Sequence, residues 1–173
     1  MFKNYFKWFA AAFAACAMLI ACAPEQSKLT VDTFSQEATI VGKVTYDAGV
    51  LWKEGAIQAY TNYVPAPGVE VIARIPYSKI GSSTAKGDYT ITVKTDDKGK
   101  FSIVIPVGAA SIDATVSCLP FFAKKSVLDD ENKEAFVDQA LYNNSTSVSV
   151  TTIKSGEVRT ANLQVTSDAA FGD

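Results

Sequence analysis

The chain has 173 residues, with 16 Lys and Arg against 18 Asp and Glu, a net charge of −2, 48% hydrophobic residues and no histidine. A nearly neutral, slightly acidic chain without Lys/Arg clusters lacks the basic footprint that phosphate backbones demand, so no nucleic-acid partner is expected. The missing histidine removes Ser-His-Asp and Cys-His catalysis as usually built, together with His-ligated zinc.

The N-terminus starts with Lys3 and Lys7 and then carries no charge from Trp8 to Pro24. Its apolar heart, Phe9 to Ala21, spans about 20 Å as a helix, short of the ~30 Å hydrocarbon core of a bilayer. A basic start, a short apolar run and small residues at its end describe an export signal over residues 1–21. "LIAC", Leu19, Ile20, Ala21 and Cys22, resembles the bacterial lipobox. The resemblance implies that the signal is cut after Ala21 and that the Cys22 sulfur carries a diacylglycerol. A thiolate is the best alkylation nucleophile among side chains, and two or three acyl chains at ~0.8 kcal/mol per CH₂ make a lasting anchor. The competing reading is an ordinary signal with a chance cysteine. Cys16 fits the pattern less well, because Phe13 stands where the aliphatic residue belongs. The expected place is a bacterial cell envelope, lipid-anchored at the outer membrane, on its periplasmic or its surface face.

Residues 22–37 follow as the lipidated cysteine and a polar tether, in which "KLTVDTF" also suits an edge strand. With the signal and its two lysines removed, 14 basic and 18 acidic residues remain, a net charge of −4. Residues 38–166 are expected to form one β-sandwich domain and 167–173 a short tail. Cys118 is then the one cysteine inside the domain, read as a small buried apolar residue.

Period-two alternation recurs along this region. "TIVGKVTY" sets Ile40, Gly42, Val44 and Tyr46 on one face. "GVEVIARI" does so with Val69, Val71, Ala73 and Ile75, and "DYTITVKT" with Tyr89, Ile91 and Val93. "KFSIVIP" turns Phe101, Ile103 and Ile105 inward, and "SIDATVS" turns in Ile112, Ala114 and Val116. "SVSVTTI" is expected to bury Val148, Val150 and Thr152, and "RTANLQV" Ala161, Leu163 and Val165. About seven short strands separated by Gly, Pro, Asp and Ser turns predict an all-β fold, a single Greek-key-type β-sandwich. Leu128 to Asn144 suits either a helix, with Ala135, Phe136, Ala140 and Leu141 on one face, or a loop leading into a strand. "TDDKGKF" predicts a tight hairpin, with Asp96 and Asp97 bonding the backbone beyond them and Gly99 supplying positive φ. Its spacing rejects an EF-hand, because the third position is Lys98 and the twelfth Val107.

"ATIVGKVTYD", "PAPGVEVIARI", "VKTDDKGKFSIVIPVGAASIDATV" and "SVSVTTIKSGEVRTANLQV" together resemble the carboxypeptidase regulatory-like, prealbumin-type β-sandwich common in Bacteroidota envelope proteins. The resemblance covers most of Ala38 to Val165 and rests on turn and core signatures, so it implies a fold rather than an activity. Two departures are the long stretch between Tyr46 and Pro65 and the polar insertion "IPYSKIGSSTAKG" between paired strands.

Chemistry-bearing patterns are few. One domain cysteine leaves no thiolate zinc site or CxxC redox pair, so no metal and no cofactor are implied. "GSSTAKGD" lacks the glycine before lysine that a phosphate loop needs. Asp129, Asp130 and Glu131 are consecutive, point apart and read as a solvated run. The remaining candidates are aromatic. Trp52, Tyr60 and Tyr63 fall in a stretch too long for a tight turn, where large rings either stack on sugars, anchor a protein, or cap the sandwich core. Tyr77, Phe121 and Phe122 pose the same choice. The expected function is a non-catalytic, lipid-anchored module that binds or positions an envelope protein or a glycan. The alternatives are an adhesive or assembly subunit, pilus-like, and more remotely a hydrolase that works with carboxylates alone.

Overall fold

A computed structural model describes residues 36–80, 86–128 and 135–167. The chain divides into Met1–Val31 and Asp32–Asp173, and every described residue belongs to the second unit. Leu19, Ile20, Ala21 and Cys22 therefore lie outside the described residues, as do Cys16 and the acidic run at 129–131.

The fold is an all-β sandwich. Its strands are β1 (Gln36–Asp47), β2 (Leu51–Lys53), β3 (Ala56–Ala59), β4 (Tyr63–Pro65), β5 (Glu70–Pro76), β6 (Asp88–Lys94), β7 (Lys100–Val107), β8 (Ile112–Cys118), β9 (Phe121–Leu128), β10 (Ala135–Ser145), β11 (Val148–Ile153), β12 (Val158–Thr160) and β13 (Leu163–Ser167). One helical turn, α1 (Tyr77–Ile80), follows β5. The larger sheet is built around β1, which pairs antiparallel with β7 and β4 and parallel with β12 and β13; β10 and β9 continue it beyond β13. The smaller sheet has the order β11-β8-β5-β6, and β2 and β3 form a separate ribbon. Alternate residues of β1, β5, β7 and β8 meet between the layers: Ile40, Val44, Val71, Ile75, Ile103, Ile105 and Val116 are fully buried. Each such side chain contributes about 1.5–3 kcal/mol by leaving water. Gly42 sits where a Cβ would strike the Ala161 carbonyl, so its lack of a side chain lets the closing segment lie against β1.

Several expectations are corrected. Thr152 is not inward: the ladder to β8 shifts between Val150 and Ile153, Thr152 takes φ 55°, and Ile153 is buried in its place. The Asp113 carboxylate accepts the Thr152 N–H at 2.8 Å and holds this bulge; that bond and Lys79 lower its pKa below the ordinary 3.8. "RTANLQV" is not one strand. It breaks at Ala161–Asn162, where Ala161 N–H donates to Val41 O and the Asn162 side chain accepts from Lys43 N–H, so β12 and β13 lie along β1 in succession. The turn at "TDDKGKF" forms, with Gly99 at φ 70°, but it does not make a hairpin. β6 pairs with β5 and β7 with β1, so the turn carries the chain from one sheet to the other. The ambiguous segment resolves as a strand from Ala135, held by eight paired positions on β9, "FFAKKSVL", itself not anticipated. Cys118 is buried at the end of β8.

Candidate functional site

The long stretch after β1 forms a loop on a narrow neck. Asp47 ends β1, and its Oδ1 accepts the N–H of Gly49 at 2.9 Å and of Asn62 at 3.2 Å. Ala48 N–H donates to the Asn62 carbonyl at 2.8 Å, which closes the base of the loop. An aspartate bonding two residues ahead is the usual Asx-turn use of this side chain. Here the same oxygen also reaches 15 residues ahead and ties both ends of the loop together.

Two further ties come from the sheet. The buried Tyr142 of β10 donates its hydroxyl to the Asp47 carbonyl at 2.6 Å. Its ring stacks on Phe121, with centroids 5.3 Å apart, and meets the Tyr46 ring edge-on at 4.9 Å. Burial, with Tyr46 and Asp47 adding, pushes the Tyr142 phenol well above its ordinary 10.0, so it stays a neutral donor. On the other side Gly49, at φ 80°, lies so close to Ser126 of β9 that a Cβ would strike its carbonyl. Val50 N–H donates to Ser126 O at 2.9 Å, and Ser126 N–H donates to Ala48 O at 2.8 Å.

Beyond the neck, β2 and β3 turn back at Glu54 and Gly55, both with positive φ, the signature of a type I′ hairpin. Trp52 lies opposite Ile57 and both are half-buried in the ribbon. Tyr60 is 72% exposed and Tyr63 45% exposed, and none of the three aromatics belongs to the core or packs against it. Gln58 and Thr61, beside Tyr60, are exposed as well. The structure thus places Trp52 and Tyr60 on one loop and Tyr63 just past its neck, at the start of β4 opposite Asp47, and leaves all three outside the core. Of the other aromatics in question, Tyr77 and Phe121 are half-buried and Phe122 is 67% exposed. Asp47 and Tyr142, which hold the loop, were not among the candidates; the "YDAG" sequence, Asp followed two residues later by Gly, was the available signal for the first.

Asp96 offers no comparable site. Its Oδ1 already accepts the N–H groups of Lys98 and Lys100, both at 2.8 Å, and the Lys100 bond leads in lowering its pKa below 3.8. Among the described residues no three His, Cys, Asp or Glu side chains cluster to hold a metal ion.

No protein-family model and no curated protein matches this chain. Among solved structures it is similar to a double mutant of shaft pilin SpaA from Lactobacillus rhamnosus GG, at 14% identity and a TM-score of 0.38 over 78% of this chain and 52% of that one. It therefore spans about half the length of that pilin. The N-terminal domain of the same pilin gives 14% identity and a TM-score of 0.31 over 76% and 94%. The major plantain pollen allergen Pla l 1 gives 14% and 0.32 over 79% and 99%.

Proposed function

We propose that this protein is a lipid-anchored, non-catalytic module of a bacterial cell envelope, tethered through Cys22, whose aromatic loop binds an envelope glycan. In this reading residues 1–21 are the signal, Cys22 opens an anchor and tether that ends where β1 begins at Gln36, two residues earlier than the sequence suggested, and the sandwich that follows is of the carboxypeptidase regulatory-like, prealbumin type. The lipobox sequence supports the anchor. The observation that carries the binding role is the loop itself: its neck is fastened by Asp47, Tyr142 and Ser126, while Tyr60 and Tyr63 stand in solvent. A fastened neck lowers the entropy lost on binding, and flat rings suit the apolar faces of sugars. The neighbouring Gln58 and Thr61 supply amide and hydroxyl partners for sugar hydroxyls, which favours a glycan over an apolar protein anchor.

A glycan array probed with the full chain, native and Trp52→Ala, tests the binding role. Binding by the native chain that disappears in the variant supports it, and silence of the native chain overturns it. Lipid labelling tests the anchor separately: Cys22→Ser is expected to abolish incorporation of labelled fatty acid, and unchanged labelling contradicts the assignment. A second reading, an adhesive or assembly subunit, is supported by β6 at the end of the smaller sheet, which among the described residues pairs with β5 alone.

A further inference from the structure

Open sheet edges invite pairing with other chains, and natural proteins guard them with bulges, prolines or short strands. Most edges here are guarded. β11 carries the bulge at Thr152, β7 carries Pro106, β12 and β4 are three residues long, and Ser126 of β9 is bridged to Gly49. β6 differs. Among the described residues it pairs with β5 alone, in an unbroken register from Asp88 to Lys94, without bulge or proline.

The direction of its backbone groups follows from its flanks. Tyr77 N–H donates to Gly87 O, and Thr95 N–H donates to Val69 O. Odd-numbered residues of β6 therefore bond toward β5, and antiparallel alternation aims the N–H and C=O of Asp88, Thr90, Thr92 and Lys94 at the open side. The sequence of this strand, "DYTITVK", is nearly self-complementary when read against itself in reverse about Ile91. Asp88 then meets Lys94 of a second copy, Thr90 meets Thr92, Tyr89 meets Val93, and Ile91 meets Ile91. The two even-numbered pairings, each occurring twice, join residues whose backbone groups face outward, so parity and side chains select the same register. On the inner face Tyr89 is 39% exposed, while Ile91 and Val93 are half-buried against the core, so the pairing extends that core across the junction.

We infer that β6 is a self-pairing edge, through which two copies of this chain join antiparallel about a two-fold axis at Ile91 into one continuous eight-stranded sheet. The inference rests on the assembly reading and gives it a contact; it does not involve the aromatic loop, which hangs on the larger sheet. Directly opposed charges and aliphatic or aromatic pairs are the stabilising units of such a junction. An isologous contact of this kind closes on itself and stops at two copies. Seven residues a side make a small interface, so the pair dissociates on dilution.

The test is sedimentation equilibrium of the full chain in density-matched detergent over a range of concentrations. The native chain is expected to pass from one to two copies as concentration rises. Asp88→Lys sets two like-charge pairs in the junction and is expected to raise the dissociation constant on the order of tenfold. The exchange Asp88→Lys with Lys94→Asp is expected to return it to near the native value. Thr92→Pro removes an outward N–H while leaving the β5 ladder whole, and is expected to abolish the pair. Should that proline disturb the fold by circular dichroism, the surface charge exchange still decides. A single copy at every concentration overturns both this inference and the assembly reading. Masses that grow without limit overturn the closed pair and leave the assembly reading standing. Variants that pair as tightly as the native chain place the contact elsewhere and overturn the inference.

Discussion

Asp96 and Asp47 do the same chemistry in two places with different reach. Each uses Oδ1 to accept a backbone N–H two residues ahead and a second one further on, beside a glycine at positive φ. At Asp96 the second donor is Lys100 and everything lies within five residues. At Asp47 it is Asn62, and the carbonyl of the same aspartate accepts from Tyr142, 95 residues away in sequence. The first turn joins the two layers of the sandwich, so it belongs to the folding of the whole domain. The second fastens the loop that carries Trp52 and Tyr60 to the larger sheet. One local device thus joins two layers or fastens a loop, according to what lies beyond it.

The largest effect that separates the two is expected at the glycines. Gly99 has its missing Cβ 2.6 Å from the Val44 carbonyl and 3.0 Å from Ala66 N, at φ 70°. Gly99→Ala is expected to lower domain stability by about 2–4 kcal/mol in urea unfolding, from strain plus displacement of backbone on both sides. A loss under about 1 kcal/mol would deny the turn its role in joining the layers. Next is Tyr142→Phe, which removes one buried hydroxyl bond and is expected to cost about 1 kcal/mol. Amide exchange distinguishes it: the Gly49 and Asn62 amides should exchange faster, while those of Lys98 and Lys100 stay unchanged. Equal acceleration at both aspartates would show that the neck is not a separate unit.

Smaller still is Tyr60→Ala, expected to change stability by no more than about 0.5 kcal/mol because the ring lies in solvent. A fall like that of a core deletion would place Tyr60 among the packed residues. The smallest effect is acid dependence at Asp96. Its pKa is depressed in the folded state, so the stability it contributes is present above the ordinary carboxylate value of 3.8 and is lost as pH falls through the lower folded value. Asp96→Asn should therefore lose less stability than the native chain when unfolding is followed from pH 6 down to pH 2.

What the amino-acid sequence revealed follows the same division between local and distant causes. Strands β1, β5, β7 and β8 were legible because each buries one face, so period two writes the core directly into Ile40, Val71, Ile103 and Val116. Thr152 was misplaced because a bulge adds a residue and flips the face, and nothing at Thr152 itself announces the Asp113 bond that holds it. The turn at Asp96 was legible as a turn, yet its partners were not, since sheet membership depends on β1 and β5 far away in sequence. "EAFVDQALYNN" carried helix and strand periods alike, and pairing with β9 decided between them. At the candidate site the aromatics were visible by residue type. The neck was not, because Tyr142 and Ser126 reach it only once β9 and β10 are in place.

The proposed role of the exposed aromatics is recognition and not folding. Its most direct measurement is glycan-array binding of the full chain, native beside the double variant Tyr60→Ala/Tyr63→Ala, at matched thermal stability. The native chain is expected to bind, and the double variant to lose binding while unfolding at the same temperature. Equal binding by both, or a variant that loses binding only because it unfolds, would contradict it.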